Sequence, residues 1–130
     1  MTITDCVFAG NQSYLGGAIY NNGPVDVVRT IFAGNSASDG AIYAQAPITL
    51  TNCIVSCNSS RGVTIGYGTL VMSNCTVTSN GGYGINNSFA ATTVSMKNSI
   101  VFFNNPCGTV CFGSQIIGPI AASYCDIQMA

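Results

Sequence analysis

Histidine, glutamate and tryptophan are absent from this chain, and only 5% of its residues are charged, against about 25% in an average soluble protein. Without His or Glu the usual general bases are missing, and a Ser or Cys nucleophile has no obvious activating partner. The carboxylates are Asp5, Asp26, Asp39 and Asp126. No two share a phase of the repeat described below, so neither the carboxylate pair of a glycoside hydrolase nor the acidic metal cluster of a polysaccharide lyase is legible. The reading is a non-enzyme with no catalytic residue, no metal ligand set and no cofactor. Arg29, Arg61 and Lys97 leave a net charge of −1, too little cationic charge for useful nucleic-acid affinity or for docking on anionic lipid. No stretch approaches the roughly 18 apolar residues of a membrane span, and Met1 runs into alternating sequence with no basic and apolar leader. The surface must be built from hydroxyl, amide and apolar groups.

What the chain does have is a repeat. VFAGN, IFAGN, IVSCN, TVTSN and IVFFN end at Asn11, Asn35, Asn58, Asn80 and Asn104, spaced 22 to 24 residues apart. Units this small cannot bury a core alone and must stack on their neighbours. Counting back from each Asn, the third residue is Phe8, Phe32, Val55, Val77 or Val101, and the eighth is Ile3, Val27, Leu50, Met72 or Met96. Apolar positions alternate with Thr- and Ser-rich ones, the period-two signature of strand. The phase breaks at Asp5, Arg29, Asn52, Asn74 and Asn98. Asn and Asp tolerate left-handed backbone, which marks a bend between two strands. A Gly-rich stretch after each ladder Asn supplies a further turn and a short third strand. The predicted fold is all-β: one domain spanning 1–130, a parallel β-helix of about 5.5 rungs, on the order of 25 Å tall at the usual strand spacing. SYCDIQ restarts the pattern at Cys125.

Phe8-Ala9-Gly10-Asn11, Gly16-Gly17-Ala18-Ile19, Phe32-Ala33-Gly34-Asn35 and Gly40-Ala41-Ile42 resemble the FxxN and GGA(I/L) repeats of polymorphic outer membrane proteins and related bacterial surface proteins. The match is clear in the first two rungs and decays after Asn58. The resemblance implies a right-handed coil and a role as an adhesin or surface scaffold. It speaks more to fold than to role, because one scaffold hosts many activities.

Several columns are candidates for function. Asn11, Asn35, Asn58, Asn80 and Asn104 are read as a structural ladder that satisfies backbone groups at a corner rather than as a ligand track. Asp5 and Arg29 fall one rung apart and should pair. Val7, Ile31, Ile54, Thr76 and Ile100 follow the small inward column and should form an outward apolar ridge, a candidate interface. Tyr20, Tyr43 and Tyr67 recur at steps of 23 and 24 and read as an aromatic ladder, for stability or for glycan binding. Paired Thr-x-Thr occurs only at Thr2-Ile3-Thr4 and Thr49-Leu50-Thr51, too irregular for an ice-binding face. Of the seven cysteines, Cys6, Cys53, Cys75 and Cys125 fall in the small inward column, Cys57 stands apart, and Cys107 with Cys111 could close a local disulfide.

Solenoids usually cap their end rungs, and no cap is legible here. The leading expectation is a non-catalytic structural protein at the cell surface or outside the cell. It would stack head to tail with other copies into a homo-oligomer or filament, since such contacts can propagate. The alternatives are a glycan-binding adhesive module and the remnant of a carbohydrate-active enzyme.

Overall fold

The computed structural model describes residues 1–89, 91–104 and 115–128, and every element named in them is a β-strand. Each turn of the chain gives one strand to each of three parallel sheets. The first sheet stacks Thr2–Thr4, Val25–Val28, Ile48–Thr51, Gly68–Ser73, Thr92–Lys97 and Ala121–Ser123. The second stacks Val7–Ala9, Ile31–Ala33, Ile54–Ser56, Thr76–Thr78, Ile100–Phe102 and Asp126–Ile127. The third stacks Gly16–Asn21, Gly40–Ala44, Val63–Ile65, Ile85–Asn86 and Ile116–Ile117. The described residues thus make five complete rungs and two strands of a sixth, the parallel β-solenoid that the repeat predicts.

Register follows the repeat. Ile3, Val27, Leu50, Met72 and Met96 are successive partners in the first sheet. Phe8, Phe32, Val55, Val77 and Val101 are successive partners in the second. These columns point inward, and in the middle rungs they are completely buried. Each such side chain contributes about 1.5–3 kcal/mol of apolar burial, so the core is a set of axial stacks in which every rung completes its neighbours. Phe8 and Phe32 stack with ring centroids 5.2 Å apart.

Two corners define the coil. Between the first and second sheets, Asp5, Arg29, Asn52, Asn74 and Asn98 have φ of 54°, 47°, 55°, 54° and 49°. Left-handed backbone normally costs an L-residue about 1–2 kcal/mol, least for Asn and Asp, which explains the composition of this column. A second left-handed column ends each second-sheet strand: Gly10, Gly34, Cys57, Ser79 and Phe103, with φ from 51° to 66°. It explains the Gly that precedes Asn in the first two rungs, and it places Cys57, which the repeat leaves unassigned. With these two bends and the turn from the third sheet back to the first, the backbone returns above itself every rung.

The Asn74 corner yields a direct test. Asn74→Val should lower stability by about 1–2 kcal/mol, because a β-branched side chain resists positive φ, whereas Asn74→Gly should change it by less than about 0.5 kcal/mol. Urea denaturation of the two variants beside the parent is the measurement; an unaffected valine variant contradicts the left-handed corner.

Candidate functional site

The most organised polar feature is the Asn column immediately after the second corner. The Asn35 Oδ1 accepts from the backbone N–H of Asn11 at 3.0 Å and from its Nδ2 at 2.9 Å. Asn58 does the same for Asn35 at 2.8 and 3.1 Å, Asn80 for Asn58 at 3.2 and 2.8 Å, and Asn104 for Asn80 at 3.2 and 2.8 Å. The second Nδ2 proton reaches backward. Asn35, Asn58, Asn80 and Asn104 donate to the carbonyls of Phe8, Phe32, Val55 and Val77 respectively. Each interior amide therefore clamps three rungs, and every amide points the same way along the axis. Apart from Asn11 these residues are buried, so the bonds form where an unmade one costs most.

The column ends on a residue that the 22–24-residue spacing does not mark. Gln115 Oε1 accepts from Asn104 N–H at 2.7 Å and from Asn104 Nδ2 at 2.9 Å, the same bidentate pattern from a longer side chain. Gln128, level with Phe102 in the sixth rung, accepts from Phe103 N–H at 2.9 Å.

Two ion pairs also join successive rungs. Arg29 donates to both oxygens of Asp5, at 2.7 and 2.8 Å, and Arg61 donates to Asp39 at 2.8 Å. The second pair was missed in the sequence because Asp39 matches no other carboxylate; its signal was the 22-residue separation, one rung, to a cation. The inward small column buries Thr30, Cys53, Cys75 and Ser99, each hydroxyl or thiol donating to a carbonyl two residues back. The Cys53 thiol, and after it burial, push the Cys75 thiol up, which keeps it protonated and unreactive. Cys107 and Cys111 lie outside the described residues.

Two outward features differ from these. Val7, Ile31, Ile54, Thr76 and Ile100 are successive partners in the second sheet, and all but the partly buried Thr76 are exposed. Beside them runs a column of Ala9, Ala33, Ser56, Thr78 and Phe102, so this face carries no charge until Asp126, which pairs with Ile100. The aromatic ladder needs correction. Tyr20 and Tyr43 stack at 5.7 Å and within 4° of parallel, but Tyr43 is level with Thr64, not Tyr67. The turn from ladder Asn to third-sheet strand is shorter in the third rung than in the second. Tyr67 therefore falls in the following turn, where its N–H donates to the Ala44 carbonyl at 3.2 Å. Tyr43 is buried, leaving Tyr20 as the ring of the pair open to solvent.

Among the described residues, no group of three or more His, Cys, Asp or Glu could hold a metal ion, and no helix is long and apolar enough to cross a membrane. Residues 1–101 match the family model described as a right handed beta helix region. No match was found among curated proteins or among solved structures.

Two outcomes follow from this geometry. Asn58→Ala should cost about 2–4 kcal/mol, since it strands buried groups on two neighbouring rungs, whereas Asn11→Ala, at the exposed start, should cost about 0.5–1.5 kcal/mol; equal losses in urea denaturation would mean the amides act singly. Hydrogen bonding from Arg29, aided by its charge, holds the Asp5 carboxyl below its ordinary value. The stabilisation from that pair is therefore complete above the ordinary carboxylate range and is lost as pH falls through the lowered value. The gap in stability between parent and Asp5→Asn should be small at pH 6 and vanish below the depressed pKa; a gap that widens in acid contradicts the assignment.

Proposed function

The chain belongs to the right-handed β-helix family, and from that premise we propose that it is a non-catalytic structural protein, displayed at the cell surface or outside the cell, that stacks head to tail with further copies of itself. The observation that carries this reading is the uniform polarity of the Asn ladder. Each ladder Asn from Asn11 to Asn80 gives its N–H and Nδ2 to the rung that follows. The exposed Asn11 therefore meets a copy approaching along the axis with the oxygen side that every later Asn turns to its predecessor, while at the other end the column passes to Gln115. Such a contact is heterologous and can propagate. The same direction is served by the two ion pairs and both ring stacks, which supports a structural role for these side chains. The likeness of the first two rungs to surface-protein repeats supports display outside the cell.

A second reading, glycan binding, has one observation in its favour: Tyr20 stays half exposed on top of Tyr43, the kind of apolar platform that takes a sugar face.

Electron microscopy of the purified chain over a range of concentrations separates the two. Axial stacking should give rods that lengthen with concentration. Monomers or discrete dimers at every concentration overturn it, and retention on immobilised glycans that Tyr20→Ala abolishes would transfer the assignment to the second reading. Turnover of a polysaccharide by the chain would contradict the non-catalytic role.

A further inference from the structure

The second sheet presents a different surface, at right angles to the stacking direction. We propose that it is a lateral docking face for a second copy of this chain, packed face to face about a two-fold axis that runs along the strands through the third rung. This contact is separate from axial stacking and stands whether or not rods form.

The geometry favours a copy of the same chain. The ridge repeats at the strand spacing of about 4.8 Å, and its natural complement is another uncharged pleated face with the same repeat, packed at about 10 Å. A two-fold centred on the third rung sets Val7 over Ile100, Ile31 over Thr76, and Ile54 over its own equivalent, with no charge on the ridge itself and the mutually neutralised Asp5–Arg29 pair at its edge. A partner bearing charge at this surface would lose hydration and find no counter-charge.

The size of the face also fits. Val7 is 67% exposed, Ile31 38%, Ile54 41%, Ile100 45% and the adjoining Phe103 60%. With the flanking column these exposures amount to on the order of 600 Å² per protomer, against about 800 Å² per partner in a standard interface. The pair should be specific but weak and concentration-dependent. Contiguous apolar surface of this extent is at the upper end of what a monomer leaves open.

Cys57 reports on the arrangement. It is a free, exposed thiol directly after Ile54–Ser56, so the proposed axis brings it opposite its own equivalent. At a sheet separation of about 10 Å the two lie beyond the roughly 7 Å reach of a disulfide, but within reach of a short bismaleimide. Treating the full chain with that reagent should give a crosslinked dimer whose yield rises with concentration and whose linkage maps to Cys57 in both copies. Ile54→Lys places like charges against each other at the centre of the contact and should cut the yield about tenfold or more, whereas Ile54→Val should keep it. Ile54 is exposed, so these variants should fold; circular dichroism checks this, and Ile100→Lys provides an independent probe should Ile54→Lys fail to fold. No crosslinked dimer at any concentration, a dimer that survives Cys57→Ser, or a yield indifferent to the lysine variants overturns the proposal. Rods that persist while the dimer is absent would remove this face and leave axial stacking in place; a Cys57 dimer without rods would do the reverse.

Discussion

An asparagine amide that must be satisfied in three directions is the constraint around which this solenoid is arranged. Its oxygen takes two protons from the rung before, one of its own protons goes to the rung after, and the other returns to a backbone carbonyl. The net gain from such bonds is about 0.5–1.5 kcal/mol each, small beside the apolar columns, in which each side chain contributes about 1.5–3 kcal/mol. The two contributions do different work. Apolar burial supplies most of the stability but tolerates exchange of one hydrophobe for another, as Phe gives way to Val along the second sheet. The amide column tolerates little, because a displaced rung would leave several buried donors and acceptors without partners. Burial holds the rungs together, and the amides decide which residue lies over which.

The corners serve the same end. Left-handed positions at two corners of each rung turn the chain at a fixed phase. The column that follows each corner, Thr, Cys or Ser after the first and Asn after the second, stays small or amide-bearing so that the next rung can approach. Thr30, Cys53, Cys75 and Ser99 are close in size, and all donate to the same carbonyl two residues back. Threonine, cysteine and serine are therefore interchangeable in this column, and its cysteines need no redox or metal chemistry to account for them.

Much of this was legible in the sequence, for a physical reason: in a stack with constant rung length, sequence period is spatial contact. The Asn column, the Phe and Val column, the Asn-rich corner and the Asp5–Arg29 pair all lie on one phase and could be read by counting. Counting fails where rung length changes. Tyr67 is 24 residues after Tyr43, yet the shortened turn after Asn58 brings Thr64 to that level. Gln115 is only 11 residues from Asn104, and nothing in the period points to it; its longer arm is what allows it to stand where an Asn is expected. The second left-handed column was hidden by composition, since Gly, Cys, Ser and Phe share no chemistry and are united only by backbone conformation.

Family membership accounts for the fold, while the proposed role rests on where particular side chains are directed: along the axis for the Asn column and both ion pairs, outward for one uncharged ridge. The central claim, that the amide column locks the register of the rungs, is tested most directly by native-state hydrogen exchange of the ladder backbone N–H groups. Those of Asn35, Asn58 and Asn80, whose acceptors are side-chain oxygens of the next rung, should exchange as slowly as the slowest core-strand amides and be released together with them. Exchange at the rate of the exposed turn amides, with the core strands still protected, would show that the rungs hold their register without the ladder.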